Sequence, residues 1–462
     1  MRSLLEEIVR GQAGWVELRH HRRRQNDFTV QKGRVDVANA QTIGGVGVRV
    51  LEDGSFGFAS SVETDRGSIE KAVERARANA REVSKLQSKK VGELPVVEFA
   101  KGDFVLDGYE ELENKPLDEK LQAVIDMEKE TVGKAGAIHT VMSTYREIFE
   151  EKAVVTSDGA SASQKLVRPE LRLNAFAEKD GDHNVGSNSL GVTGGWNCLF
   201  NHPTADGIIE KTAKQAVDLL GAPHIPGGQA TVILEPSLVG LLAHEAIGHT
   251  VEADFVLSGS VAAGKIGKRV GSDLVTLCDS GHSEIMGNAG GEMPFDDEGI
   301  PVQDTVVIEN GILKSYLHNR ESAAEFGVAP TGNGRAWLYK DEPLIRMRNT
   351  YLRPGTTPLE EMIASTREGY LIVGAGSGQA DATGEFMFGS SYAVEIKDGK
   401  LGRKLREATI SGVAFDVLQT IDAVSTEFRW DLGSGYCGKW QPAKVDAGGP
   451  YVRCRLTLGG RQ

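Results

Sequence analysis

Short strands punctuated by Asp-Gly and Asn-Gly turns constrain this chain more than any other feature. Within the first 61 residues, "WVELRH", "FTVQ", "RVDVA" and "GVGVRVLEDGSFGFAS" alternate like half-buried strands, with a hairpin turn at Asp53-Gly54. An amphipathic helix, "IEKAVERARANAREVSKL", follows, and Ser68 is its expected cap. Residues 85–115 are irregular and contain proline, which implies a linker or a long excursion. The pattern then recurs. Helix "LDEKLQAVIDMEKET" precedes strands with turns at Asp158-Gly159 and Asp180-Gly181, and helix "ADGIIEKTAKQAVDLLG" closes the unit with Gly221 as its expected C-cap.

Two similar strand-then-helix subdomains, about 1–100 and 116–222, are therefore expected within an N-terminal α/β region, 1–222. "APHIPGG" (Ala222–Gly228) marks the boundary, because prolines and glycines crowd it. Beyond it, residues 223–462 turn β-rich, with hairpins in "VIENGILKSYLHN" and "AVEIKDGKLGRKL". The expected fold class is α+β, with a C-terminal domain of mostly antiparallel strands around one important helix.

The chain has 462 residues, enough for a large core, and its 52 basic against 65 acidic side chains give a net charge of −13. That balance argues against nucleic acid or an anionic membrane as the main partner. The one basic run, "RHHRRR" (Arg19–Arg24), reads as a solvated strand edge or turn. Acids interrupt the N-terminal "MRSLLEEIVRG", and no run of about 18 apolar residues occurs, so a soluble, cytoplasmic protein is expected. Cys198, Cys278, Cys437 and Cys454 are scattered, which suits free thiols or metal ligands in a reducing compartment.

The chemistry concentrates in "LLAHEAIGHTVEADF" (Leu241–Phe255), which holds His244, Glu245 and His249. Pro236 suits the first turn of the helix that carries them. On an ideal helix, residues five apart are rotated by about 140°, whereas four apart differ by about 40°. A straight helix therefore cannot aim both imidazoles at one ion. A π-type turn would stack them; alternatively Gly248 would break the helix and swing His249 back. The bland alternative is a polar helix with a hydrogen-bonded His-Glu-His cluster.

"HEAIGHTVEADF" resembles the signature of the TldD/PmbA family of metalloproteases, on its TldD (catalytic) side. Matching pieces follow in order: "GVGVRVLEDGSFGFAS", "MPFDDEGIP", "VIENGILKSYLHNRESA", "TGNGRA", "RMRNTYLRPG", "ATGEFMFGSSYAVEIKDGK" and the tail "GYCGKWQPAKVDAGGPYVRCRLTLGG". The resemblance spans nearly the whole chain. It implies that His244, His249 and Cys437 bind Zn2+, that Glu245 is the general base, and that residues 223–462 are the metalloprotease domain. It also implies peptide substrates, short or unfolded, and a hetero-dimer with a PmbA/TldE-like subunit, or a homodimer. After "CGK" the chain reads "WQPAKVDAGGPY", shorter than the family's Gly- and Gln-containing loop, which leaves that loop's substrate contact open.

By proximity alone, Glu252 and Asp254 rival Cys437 as third ligand, and Cys278 and His282 stand in the next segment, "LCDSGHSEIMG". The same donors would also serve a zinc amidase or deformylase on small acylated substrates, or a non-catalytic modulator with a structural metal. The Gly-rich stretches 287–299 and 374–389 lack the Gly-Lys-Ser/Thr of a phosphate loop, so hairpin connections or loops beside an extended peptide are expected.

Overall fold

Strand β1 is the pivot of the N-terminal architecture. The computed structural model describes residues 1–205, 207–282 and 285–459. Helix α1 (Arg2–Arg10) leads into β1 (Trp15–Gln31), β2 (Arg34–Glu52) and β3 (Ser55–Ser61), and helix α2 (Arg66–Leu86) packs back onto them. Asp53 and Gly54 take φ of 51° and 70°, the left-handed pair that a tight hairpin needs. Helix α2 starts before Ser68. The Asp65 carboxylate accepts from the Ser68 N–H, so Asp65 is the cap and Ser68 lies inside the first turn.

The second unit contains β4 (Lys101–Val105), α3 (Tyr109–Asn114), α4 (Leu117–Gly133), β5 (Ile138–Thr156), β6 (Ser161–Lys179), β7 (Asp182–Gly191), α5 (Trp196–Asn201) and α6 (Ile208–Asp218). Because β1 pairs with both β2 and β5, the two units share one seven-stranded sheet, β3-β2-β1-β5-β6-β4, with β7 also on β6. The stretch expected as linker contributes β4, which runs parallel to β6, and α3. Helix α6 ends on Leu219 as C-cap, and Gly221 (φ 72°) follows in the turn. Asp206 of that expected helix, Ser283 and Glu284 of "LCDSGHSEIMG", and Gly460 of the tail lie outside the described residues.

The basic run is not a solvated edge. It sits in the middle of β1, and Arg19, His21 and Arg23 are buried. Alternation along the strand turns them toward acids: His21 stands 3.2 Å from Glu150, and Arg19 is 3.7 Å from Asp297. Neighbouring Arg49 meets Glu17 at 2.8 Å and Glu298 at 2.5 Å. Asp297 and Glu298 belong to "MPFDDEGIP", so the N-terminal sheet and the C-terminal part are joined through a buried ionic layer. Buried charges of this kind are stable only when paired.

Beyond the boundary, β8 (Gly228–Leu234) pairs with Glu368–Ala380 and with Val452–Gly459. Val452–Gly459 continues to Thr409–Val413, then Glu385–Lys397, which returns to Glu368–Ala380. The sheet thus closes on itself and hides its edges. A second sheet centres on Leu277–Ser280, flanked by Asp304–Glu309 and Asn349–Leu352, with Asp446–Gly449 beyond. Asn310-Gly311 and Asp398-Gly399 form the expected hairpin turns, all four with positive φ. The Gly-rich stretch 374–389 lies in the long pairing of Glu368–Ala380 with Glu385–Lys397.

Helix α7 (Pro236–Leu241) leaves β8 with Pro236 in its first turn. Leu238, Val239, Leu242, Ala243, Ala246 and Ile247 enter one large core with Ile372, Phe386, Ile410 and Leu456. A Cβ on Gly240 would lie 2.7 Å from Gly448 N, so glycine lets the helix reach the second sheet. The chain is α+β with a β-rich C-terminal part, and among the described residues no helix is long and apolar enough to cross a membrane.

Candidate metal centre

Helix α7 widens rather than breaks. From Leu242 to Gly248 the backbone forms a π turn, and His249–Val251 tightens into a 3-10 turn. The His249 N–H donates to the His244 carbonyl, the i to i+5 bond that stacks the two residues. Of the two distortions the spacing left open, the π turn is the one present. Gly248 keeps helical angles (φ −56°, ψ −48°) and serves packing instead: a Cβ there would come within 1.9 Å of Met347 Sδ. The two imidazoles lie 5.4 Å apart between ring centres, nearly perpendicular at 82°.

Cys437 arrives from a different element. It lies in Tyr436–Lys439, which pairs with Gln441–Lys444 across a turn at Trp440, whose φ is 56°. Its Sγ is 3.2 Å from His249 Nε2. Arg346 donates to the Cys437 carbonyl at 2.7 Å and holds the hairpin in place. One donor atom from each of His244, His249 and Cys437 falls within 4.8 Å of the others.

The electrostatics of the cluster are unusual. His244 and Cys437 are buried, and neither ring nitrogen of His244 has a hydrogen-bond partner among the described residues. A buried, unpartnered imidazole is costly unless something else binds it. Burial pushes the Cys437 thiol up, but the two imidazoles outweigh it and bring it down to about 4. The set thus favours a thiolate, the form that binds metal. His249 and Glu245 keep 21% and 29% of their side chains exposed, which leaves the cluster open on that side. The Glu245 carboxylate stands 3.6 Å from His249 Nε2.

The rival donors lie elsewhere. Glu252 is fully buried and accepts from the far nitrogen of His249, Nδ1, at 2.8 Å. Asp254 pairs with Lys439 at 2.7 Å. Cys278 is buried in the Leu277–Ser280 strand and joins another core cluster, and His282 is not part of the donor group. Cys454 is buried in Val452–Gly459, and Cys198 is partly buried.

Lys439 was not legible as a site residue. Its ammonium contacts Glu252 at 3.2 Å, the Asp254 carboxylate, and the Ile345 carbonyl at 3.1 Å, over the Phe255 ring. It therefore ties the hairpin of Cys437 to the turn of His249. The only sequence signal is its spacing: Cys437 and Lys439, two apart on a strand, share one face.

Three segments match the domains of one family. Residues 16–80 match the PmbA/TldA metallopeptidase domain 1, 110–220 the central domain and 227–460 the C-terminal domain. A metalloprotease of Methanocaldococcus jannaschii is 32% identical, with 96% of each chain covered. A "Metalloprotease TldD homolog" of Haemophilus influenzae is also 32% identical, over 90% of this chain and 86% of its own. A crystal structure of a proposed modulator of a DNA gyrase from Thermotoga maritima shares the fold at a TM-score of 0.79 and 22% identity, with 99% of both chains covered. TldE from Thermococcus kodakarensis does so at 0.77 and 19%, again over 99% of both. With its three segments matched in order and its relatives aligned along nearly their whole lengths, the chain belongs to the PmbA/TldD metallopeptidase family.

Proposed function

We propose that this chain is a zinc-dependent peptidase that hydrolyses short or unfolded peptides. The observation that carries the reading is the convergence of His244, His249 and Cys437 within 4.8 Å. Two imidazoles and a thiolate suit zinc and leave a fourth position open, whereas a structural site is closed by four protein ligands. When bound, the ion supplies a Lewis acid that makes water acidic near neutral pH and polarises the scissile carbonyl.

The remaining chemistry belongs to side chains. Glu245, partly exposed beside His249, takes the proton of the attacking water and passes it to the leaving amine. Glu252 holds His249 through Nδ1 and so turns Nε2 toward Cys437. All of these groups lie in residues 223–462, the proposed catalytic unit, while 1–222 supplies a buttress through the ionic layer. Partial exposure of Glu245 and His249 suits a thin, extended substrate rather than a folded surface.

In this reading the protein is cytoplasmic and acts as the catalytic member of a hetero-dimer with a PmbA/TldE-like subunit, or as a homodimer. That a TldE protein has this same fold is consistent with the pairing. The test is cleavage of peptides of varied length, with products identified by mass spectrometry, before and after chelation. Cleavage of peptide bonds, lost on chelation and restored by zinc, is expected. Activity confined to an N-acyl group would move the chain to the amidases, and activity untouched by chelation would remove the metal from the mechanism.

A further inference from the structure

A cavity of about 410 Å3 lies where the N-terminal region meets the C-terminal sheet, between β7 and α6 on one side and the start of α7 on the other. Its volume is that of a small-molecule site, and junctions between units are where such sites concentrate. Glu235, at one end of α7, and His244 are nine residues apart along one continuous helical path, about 13 Å of rise. The cavity is therefore separate from the metal centre, and none of its lining residues belongs to that centre.

Charges of both signs line it. Glu235 and Asp431 line one part. Glu235 accepts from Ser237 Oγ at 2.8 Å and from the Gly374 N–H. The Asp431 carboxylate is half-buried and has no ion pair among the described residues, Arg429 and Lys211 being the cations whose charge reaches it. Lys211 and Lys214 project from α6 into the same cavity, and neither ammonium has an ion-pair partner among the described residues. Two exposed lysines and two acids around one cavity, with no ion pair between them, suit a ligand that carries both charges.

We infer that this cavity is a second binding site, taking a short peptide with free termini, its ammonium on Asp431 and Glu235 and its carboxylate on Lys211 and Lys214. An extended dipeptide spans about 7 Å, which such a cavity accommodates. Burial, with Asp431 beside it, pushes Glu235 up to about 7, and burial raises Asp431 as well. An incoming ammonium restores the ionised form of both. Arg429, which donates to Tyr451 Oη at 2.9 Å, lies on the wall, and its charge attracts both Asp431 and Glu235.

The experiment is calorimetric titration of the full-length His244→Ala protein with L-alanyl-L-alanine and with its N-acetyl and C-amide forms. Removing the metal ligand keeps hydrolysis out of the signal. The free dipeptide binds, and each blocking group weakens it by about tenfold or more, the scale of one charge-assisted hydrogen bond. Asp431→Asn and, on the exposed face of α6, Lys211→Ala weaken it equally when added. Absence of binding by the free dipeptide overturns the inference, as does equal binding of the blocked forms or indifference to both substitutions. Failure of wild-type peptide hydrolysis bears on the metal centre alone, because this measurement needs no catalysis.

Discussion

The backbone N–H of His249 donates to the carbonyl of His244, so the two residues that frame the candidate site are also the two ends of one π-type hydrogen bond. The extra residue between them, compared with a four-residue spacing, is absorbed by the wide turn, and the rings end 5.4 Å apart. Backbone geometry and the placement of the two imidazoles are therefore one feature.

The first expected outcome is stoichiometry. Mass spectrometry of purified protein should find about one zinc per chain, and little in His244→Ala or Cys437→Ala, because a site of three donors loses most of its affinity with any one of them. Full zinc in Cys437→Ala would remove the thiolate from the site, even though its Sγ lies 3.2 Å from His249 Nε2.

Gly248→Ala tests the turn itself. The new methyl meets Met347 Sδ at 1.9 Å, and overpacking of this kind costs about 1–3 kcal/mol. The denaturation midpoint should fall and zinc content with it, since His249 is the next residue. Met347→Ala in the same chain should recover part of the loss, measured as a double-mutant cycle. A Gly248→Ala protein as stable as wild type would contradict the close contact.

Glu252 and Lys439 should act through His249. Glu252→Gln keeps size but weakens the hold on Nδ1, and loss of such an outer partner typically lowers metal affinity about 10–100-fold. Lys439→Met strips the buried Glu252 of its cation, 3.2 Å away, and should have a similar effect. Competition with a chelator reads both. Unchanged affinity in both variants would make the trio a tie that only supports the fold.

Local chemistry was legible; partners distant in the chain were not. Asp53-Gly54, Asn310-Gly311 and Asp398-Gly399 adopt the turns their residue types favour, because positive φ is a property of one or two residues. The five-residue spacing of the histidines likewise forced a distortion, and the π turn is one of the two it allowed. Cys437, however, is 188 residues from His249, and only the family resemblance singled it out. The basic run failed for the same reason. Its burial depends on Glu150 and Asp297, which nothing in "RHHRRR" reveals. Asp65 displaced Ser68 as the cap because both residue types suit that role, and only backbone direction decides between them.

Stability should fall on mild acidification through His318. Burial lowers this imidazole from 6.5 to about 4. The unfolded chain therefore takes up a proton near pH 6.5 that the folded chain refuses until about pH 4. Stability from this group is complete above the higher value and is lost as pH drops between the two, by about 3 kcal/mol at most. Urea denaturation of His244→Ala protein across that window, with and without His318→Gln, isolates the effect from metal loss. Parallel pH profiles for the two proteins would rule it out.

Glu245→Gln separates catalysis from metal binding. Its carboxylate is 3.6 Å from His249 Nε2 and partly exposed, whereas the three proposed ligands are His244, His249 and Cys437. The amide keeps the shape of the side chain but cannot accept a proton from water. Peptide hydrolysis should drop about 10²–10⁴-fold in kcat, the usual worth of a positioned general base, with zinc content near one per chain. Loss of both zinc and activity would make Glu245 a ligand, and retention of both would pass the proton to another group. If activity falls while zinc stays, the proton transfer resides in Glu245 and the metal in the other three residues, two of which the shared turn holds together.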